Sequence, residues 1–206
     1  MKLFHLRAAG VAAALLTAAA AALATAPAAG AEPTAPAGAA ALRGTTEVTT
    51  APGIATTFVT AGILPLPAAS TSFRIGFTGG LNVTYGFPVT GGNPDLSGPS
   101  GHVTHAGGIA FVSIRGQRLE IGRFDIDLAA RKVFAREVNG VSARVPVLDL
   151  DLTNLQVSQR PGGTVLSGIG LRLDPAGAAA LNSTFRLSLP TDGSLVFGTA
   201  KVTLRT

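Results

Sequence analysis

The chain has 206 residues, of which 47% are hydrophobic and 13% charged, and its formal net charge is +5. This length suffices for one domain, and a mean hydropathy of +0.42 excludes the charge-rich, apolar-poor composition of a disordered chain. The sequence contains no cysteine, so disulfides, thiolate metal ligands and a cysteine nucleophile are excluded. Basic and acidic residues alternate between Arg115 and Lys132 instead of forming a basic stripe, which argues against nucleic-acid binding.

Residues 1–31 have the three parts of a secretory signal peptide. Lys2 and Arg7 give a positively charged start, an apolar run extends from Ala8 to Ala26, and the small residues Ala29-Gly30-Ala31 form a cleavage site. A retained transmembrane anchor is the alternative, since the run approaches the ~20 residues that span a bilayer. Its alanine-rich composition and the Ala-x-Ala ending favour cleavage. We therefore expect a secreted, extracellular protein that can associate with the cell surface and has no membrane span after cleavage.

Residues 32–44 are rich in Pro and Ala and too poor in large apolar side chains to pack, which predicts a flexible lead-in. Residues 45–206 consist of short Val-, Ile-, Thr- and Phe-rich runs that alternate with period two between clusters of Gly, Pro and Asn. This pattern predicts one all-β domain, a sandwich or a barrel, and of the two we expect an antiparallel β-sandwich, immunoglobulin-like or related. The predicted strands are Thr45–Thr50, Ile54–Thr60, Ser72–Thr78, Leu81–Phe87, His102–Thr104, Ile109–Arg115, Arg118–Leu128, Lys132–Val138, Ala143–Leu152, Thr164–Leu173 and Ser194–Leu204.

Two of these strands give more detailed predictions. In Arg118–Leu128 an inward face is formed by Leu119, Ile121, Phe124, Ile126 and Leu128, and its phase changes at Gly122-Arg123, which indicates a bulge. In Ala143–Leu152 we expect Leu148, Leu150 and Leu152 to be covered, Asp149 and Asp151 to face water, and Pro146 to lie at an edge or bulge.

Local turn and cap chemistry predicts a hairpin and a helix. Asn139-Gly140 is typical of a two-residue type I′ turn, because both residues tolerate positive φ. Asp174-Pro175 combines an N-cap carboxylate with a proline in the first helical turn, so we expect a short helix near the C-terminus over Ala176–Leu181, ending at Asn182.

The candidate ligand-binding residues are one tyrosine and two histidines. His102 and His105 are three residues apart, so they lie on opposite faces of a strand and would share a metal only if the segment turned between them. With only Asp95 nearby to complete a site, we expect no metal centre, and one of the two histidines to face a ligand. Tyr85 is most simply a packed ring with a wet hydroxyl, but a phenolate also ligates ferric haem, and tyrosine with histidine recurs in haem-transfer proteins.

No catalytic constellation stands out. The sequence has no G-x-S-x-G motif for a nucleophilic serine. The carboxylate pairs Asp125/Asp127 and Asp149/Asp151 share a strand face and would suit a glycosidase or a calcium site, but a solvated face paired with arginine explains them better. We therefore expect no enzymatic activity.

Four segments together resemble the HtaA-type domain of actinobacterial cell-surface haem-uptake proteins: Ser72-Phe73-Arg74, Gly101–Phe111, Leu119–Asp127 and Asp174–Leu181. The resemblance extends from Ser72 to about Phe185. It implies an all-β, extracytoplasmic, non-enzymatic module that binds haem. The composition agrees with such a source, because only three of sixteen basic residues are lysine, a bias typical of a high-GC bacterium such as an actinobacterium.

Two functions follow from the sequence. The first is a secreted binding module for haem or another apolar ligand, with Tyr85, His102 and His105 as its ligand-binding residues. The alternative is a structural or interaction protein of the cell envelope, which would contact a protein or a polysaccharide and bind no small molecule. The two differ in whether these three side chains converge on one apolar pocket.

Overall fold

The structure, a computed structural model, describes residues 42–95, 98 and 100–205. Within these residues the chain forms twelve strands and two helices: β1 (Arg43–Thr50), α1 (Ile54–Thr60), β2 (Ile63–Ala68), β3 (Ser72–Gly76), β4 (Asn82–Gly92), β5 (His102–His105), β6 (Gly108–Ser113), β7 (Arg118–Asp127), β8 (Lys132–Val138), β9 (Val141–Asp151), β10 (Gln156–Arg160), β11 (Gly163–Leu173), α2 (Pro175–Phe185) and β12 (Val196–Arg205). The predicted signal peptide, residues 1–31, lies outside the described residues. So does most of the predicted lead-in, although its last two residues, Arg43 and Gly44, begin β1.

The sheet closes on itself. Its strands follow the order β7-β5-β4-β1-β12-β11-β9-β8, and β8 pairs back with β7, so that eight antiparallel strands form a barrel. The prediction of an all-β, antiparallel domain is confirmed. The predicted sandwich is corrected to a barrel, because the pairing of β7 with β8 joins edges that two separate sheets would leave free.

Four further strands extend the sheet beyond the barrel. β6 continues the line of β5 along β7, and β2 pairs with β6. β3 pairs with β4, and β10 pairs with β11. One end of the barrel therefore divides into two flaps, β3 on one side and β6 with β2 on the other. α1 packs against β2 and β4 at this end.

The segment that forms α1 was predicted as a strand, and that prediction is wrong. Its buried residues Ile54, Ala55 and Phe58 have the spacing of one helical face. The helix follows Gly53, which has a φ of 89°, and Gly62 with a φ of 73° comes just after it. The β-branched residues favour a strand locally, but the burial of one helical face at the barrel end outweighs this preference.

Two strands were not predicted. β2 contains two prolines, Pro65 and Pro67, and prolines are tolerated on edge strands such as this one. β10 is exposed at every position and so has no alternating apolar pattern that would mark it as a strand.

The predicted inward face of β7 is confirmed. Leu119, Ile121, Phe124, Ile126 and Leu128 all line the barrel interior. The change of phase falls where expected, since Arg123 has a positive φ of 53°. A left-handed residue at this point turns the following side chains to the other parity, so that both halves of the strand present apolar residues to the interior.

The predicted hairpin is also confirmed. Asn139 and Gly140 have φ angles of 50° and 77°, and they join β8 to β9 through the pair Val138–Val141. In β9 the register shifts near Pro146, as predicted for that proline. Because of this shift the interior is lined both by Val145 and Val147 and by the leucines at 148, 150 and 152.

α2 begins as the sequence predicts and ends later. The side chain of Asp174 accepts a hydrogen bond from the Ala176 amide at 2.8 Å. The helix runs past Asn182 to Phe185, because the Asn182 side chain makes two hydrogen bonds with the backbone of Leu189 instead of ending the helix. Neither helix in the described part of the chain is long and apolar enough to cross a membrane.

Candidate functional site

A cavity of about 180 Å³ lies inside the barrel. Strands from all around the barrel line it, together with Gly177, Ala180 and Leu181 of α2. Its lining is apolar except for two polar side chains, Thr46 of β1 and His105 of β5. A concave, apolar site with a few fixed polar groups is the usual form of a small-molecule site.

His105 and Thr46 together form the polar part of the cavity wall. His105 is 4% exposed, its Nε2 lies 2.7 Å from Thr46 Oγ1, and its Nδ1 lies 3.3 Å from the Phe124 carbonyl oxygen. Because a carbonyl oxygen only accepts, Nδ1 carries the proton and donates, while Nε2 of the neutral ring accepts from the Thr46 hydroxyl. Burial lowers the pKa of His105 to about 4, so the ring is neutral at physiological pH.

Tyr85 lies in a different part of the core. It is 1% exposed and is not among the residues that line the cavity. Its hydroxyl donates a hydrogen bond to the Pro65 carbonyl oxygen at 2.7 Å, across the space between the flaps, and its ring centroid is 5.7 Å from that of Phe73 on β3. Burial raises the pKa of the phenol well above its usual value, which disfavours the phenolate.

The structure separates the three predicted ligand-binding residues. His102 is exposed on the outer surface of β5, opposite Asp127 on β7, whereas His105 faces the interior. The two histidines therefore lie on opposite faces, as their spacing predicts. Tyr85 packs among β4, β3 and β2. Of the three, only His105 lines the interior cavity.

These residues do not fit haem. Sites for ligands of drug-like size have volumes of roughly 300–1,000 Å³, and the cavity is smaller than this range. Both ring nitrogens of His105 have protein partners, and the Tyr85 hydroxyl is bonded to a backbone carbonyl. An iron ligand would have to give up these hydrogen bonds, and Tyr85 would also have to ionise where burial opposes it.

The aspartates of β7 are paired with arginine, as predicted. Asp125 lies 3.4 Å from Arg136, and Asp127 lies 3.3 Å from Arg144. Asp125 is nevertheless buried rather than solvated, at 8% exposure. Within the residues that the structure describes, no group of three histidine, aspartate or glutamate side chains is placed to hold a metal ion.

Thr46 is the site residue that the sequence did not reveal. It is 59 positions from its partner His105, and the two meet only because β1 and β5 both pair with β4. The sequence signal is slight: Thr46 shares the parity of Val48 in a predicted strand, and alternation puts its side chain on the same face as that apolar residue.

Comparisons with known proteins give a distant likeness among solved structures. No family model and no curated protein matches the chain. Among solved structures, the crystal structure of the C-terminal domain of HtaA from Corynebacterium glutamicum matches 79% of this chain and 99% of its own length, with 18% identity and a TM-score of 0.46. The chain is therefore similar to an HtaA domain, the family named by the sequence resemblance.

Proposed function

We propose that this protein is a secreted, non-enzymatic binding module that holds a small apolar ligand inside its barrel. The observation that carries the proposal is the interior cavity, whose lining is apolar apart from Thr46 and His105. The interior of a closed eight-stranded barrel is either filled by side chains or holds one small ligand. The proposed secretion rests on the signal-peptide pattern of residues 1–31.

The size of the cavity limits the ligand. An apolar cavity of about 150 Å³ binds benzene or xenon and excludes water, and the cavity here is of similar size. The polar groups in its wall need no hydrogen-bond partner from the ligand, because Thr46 and His105 already bond to each other. The expected ligand is thus a single aromatic ring or a short hydrocarbon group without a charge.

Filling the cavity tests the proposal. Ala200 of β12 is buried and lines the cavity, and the neighbouring Thr199 is exposed on the other face of the same strand. We expect benzene to raise the free energy of unfolding of the wild type by about 1.4 kcal/mol at ten times its Kd. Ala200→Ile should abolish this gain, and Thr199→Ile, which adds the same side chain outside the barrel, should retain it.

Two further measurements complete the test. Xenon-129 NMR of the wild type needs no variant. We expect a chemical shift of bound xenon, and we expect benzene to abolish it by displacing xenon from the cavity. Absence of that shift, or an equal benzene effect in Ala200→Ile, contradicts the proposal. Haemin is titrated in parallel: a saturable Soret change that Tyr85→Phe or His105→Ala weakens would replace the small apolar ligand with haem.

A second candidate function is interaction with a protein of the cell envelope. The observation that favours it is a concentration of exposed large apolar side chains in α1 and in the two flap strands β2 and β3 and just after β3: Val59, Leu64, Leu66, Phe73, Ile75 and Phe77. Exposed apolar patches mark interaction surfaces. Phe77 is 77% exposed. Under this function Phe77→Ser should abolish co-purification of the envelope protein with this protein and leave benzene binding unchanged.

A further inference from the structure

The strand β3 has an open edge. Among the described residues its one hydrogen-bonded neighbour is β4, with Phe73 opposite Tyr85 and Ile75 opposite Val83. All residues of β3 are exposed except Gly76, which is half-buried. An open edge carries unpaired backbone N–H and C=O groups and can therefore pair with a strand of another chain. Proteins usually prevent such pairing with a proline, a charged side chain or a bulge.

The backbone groups on this edge belong to Phe73 and Ile75. β3 and β5 lie on one side of β4, because β1 occupies the other side. The Pro88 carbonyl of β4 accepts from the Ala106 amide on the β5 side, whereas the Val83 amide donates towards β1. Even-numbered residues of β4 therefore direct their backbone groups to β3. Phe73 and Ile75 are opposite odd-numbered residues, so their N–H and C=O groups point away from β4, to the open edge.

The side chains at the same two positions are apolar and exposed. Phe73 is 38% exposed and Ile75 is 56% exposed, although both share a face of the sheet with the buried residues Tyr85 and Val83. Side chains directly opposite each other on neighbouring strands contact and stabilise the pair. A neighbouring strand on this edge would thus satisfy the backbone groups of Phe73 and Ile75 and cover their side chains as well.

The free edge of β2 is protected against such pairing. The Ile114 amide donates to the Gly62 carbonyl, so the even-numbered residues of β2 direct their backbone groups to β6. Pro65 and Pro67 therefore face the open side, where proline offers no N–H. The Pro65 carbonyl, in addition, already accepts a hydrogen bond from the Tyr85 hydroxyl. A full ladder cannot form on this edge.

The edge of β3 lacks the same protection. The strand contains no proline, and its one charged residue is Arg74. Arg74 Nη2 lies 2.7 Å from Oε1 of Glu47, a residue of β1 on the far side of β4. The guanidinium group therefore reaches back across β4 instead of guarding the open edge, and a partner residue next to Arg74 needs no charge.

We propose that β3 receives an extended, uncharged strand of a partner protein, with apolar side chains opposite Phe73 and Ile75. Backbone hydrogen bonds give the affinity of such strand addition, and the side chains at alternate positions give its specificity. The inference rests on the second candidate function, interaction with a protein, and is independent of the ligand inside the barrel.

Two other occupants fit the edge less well. A second copy would approach with its own β2, which is joined to β3 by only three residues, 69–71, and would bring that strand to the same edge. Residues 32–41 consist of Glu, Pro, Thr, Ala and Gly, so they offer no large apolar side chain to Phe73 or Ile75. A segment of another protein carries neither restriction.

Titration of the purified protein with the peptide acetyl-Thr-Val-Thr-Val-Thr-amide, followed by nitrogen-15 NMR, tests the inference. We expect saturable chemical-shift changes at the Phe73 and Ile75 amides. Hydrogen exchange of these two amides should slow about fivefold or more at saturation, because the peptide covers them. The same peptide with both valines N-methylated should bind about tenfold more weakly or worse, because it has lost the N–H donors that face β3.

A proline variant tests the same edge from the side of the protein. Ile75→Pro removes one open N–H and leaves the pairing of β3 with β4 intact, so it should weaken peptide binding about tenfold. Val157→Pro is the matched control, because it places a proline in β10, a second strand that is exposed throughout, and it should bind the peptide as the wild type does. The N-methylated peptide decides the test if Ile75→Pro does not fold.

Several outcomes would overturn the inference. They are absence of saturable peptide binding, equal binding of the N-methylated peptide, and an equal loss of binding in Val157→Pro. Dimerisation of the wild type that Ile75→Pro abolishes would assign the edge to a second copy instead. Failure of the peptide together with co-purification that Phe77→Ser abolishes would overturn strand addition alone and retain the second candidate function. Benzene binding should be unchanged in Ile75→Pro, because Ile75 does not line the interior cavity.

Discussion

At the scale of single residues, the neutral state of His105 has the clearest consequence. The ring is buried in the cavity wall, where protonation would place a charge against apolar side chains. Burial lowers its pKa to about 4, from an ordinary value of 6.5 in the unfolded chain. The unfolded state therefore binds a proton more readily than the folded state. Stability from this residue is fully present above pH 6.5 and is lost as the pH falls towards 4.

The His105→Gln variant isolates this effect. We expect the wild type to lose about 3 kcal/mol of unfolding free energy more than the variant does between pH 7.5 and pH 4. Urea unfolding midpoints at a series of pH values measure the difference, and the carboxylates cancel because they are common to both proteins. His102→Gln, which changes the exposed histidine of the same strand, should follow the wild type. A parallel course for wild type and His105→Gln contradicts the buried, neutral ring.

At the scale of elements, α2 depends on one carboxylate at its beginning. Asp174 is 3% exposed, caps the helix through the Ala176 amide and contacts Lys132 Nζ at 2.6 Å. Lys132 also contacts Asp149, and these two carboxylates raise the pKa of its ammonium group. The cap therefore fastens α2 to β8 and β9 as well as completing the hydrogen bonding of its first turn.

Two substitutions at Asp174 separate these roles. Asp174→Ala removes both the cap and the ion pair, and we expect it to cost about 1–2 kcal/mol or more of unfolding free energy. Asp174→Asn keeps an acceptor for the Ala176 amide and should cost less. Chemical denaturation of both variants measures the difference. Equal costs would show that the contact with Lys132, and not the cap, gives the stabilisation.

The position of Gly177 gives a prediction of unusual sign. Gly→Ala in a helix normally stabilises by about 1 kcal/mol. A Cβ at Gly177 would lie 2.9 Å from the Val147 carbonyl oxygen, because α2 approaches β9 closely here. We expect Gly177→Ala to lower the thermal unfolding midpoint. Ala179→Gly, at an exposed position of the same helix, should also lower it, which shows that propensity acts normally elsewhere in α2. A stabilised Gly177→Ala would contradict the close approach.

At the scale of the whole molecule, the closed barrel and the added strands should differ in local stability. Barrel strands are paired on both sides, whereas β3 and β10 each pair with a single neighbour. Both of these strands are also largely exposed. Local opening of such an edge breaks few contacts and exposes little apolar surface.

Native-state hydrogen exchange tests this difference. We expect paired amides of β1 and β12 to exchange only through global unfolding. The free energy of opening measured at these amides should therefore fall with denaturant concentration as steeply as the free energy of unfolding does. Amides of β3 that are bonded to β4 should exchange through local opening at a lower free energy. If β3 amides were as protected as those of β1, the flap would belong to the same cooperative unit as the barrel.

The sequence predicted what local chemistry determines. Alternation and its change of phase at Gly122-Arg123 gave the inward face of β7, Asn139-Gly140 gave a hairpin, and Asp174-Pro175 gave the start of α2. Each of these depends on residues that are close together in the chain. α1 was predicted as a strand because its β-branched residues favour a strand locally. The apolar face of the helix is buried only when the end of the barrel is assembled, which the local sequence does not show.

The candidate site was harder to predict because its parts are far apart in the chain. The spacing of His102 and His105 correctly put them on opposite faces, but nothing local says which face is the interior. The pairing of His105 with Thr46 depends on the strand order. Closure of the sheet depends on long-range pairing in the same way, so alternation alone left sandwich and barrel both open.

The pairing of β1 with β12 also governs when the molecule can fold. Arg43 pairs with Arg205, and the register continues to Thr50 opposite Gly198, so the first and last described strands are neighbours in the barrel. Until β12 is available, β1 and β11 both present open edges, and the interior has no complete wall. Contacts between such distant parts of a chain make folding slow. A chain of this topology is an incomplete sheet until its last strand has been synthesised, and until then its open edges need protection from edge-to-edge association.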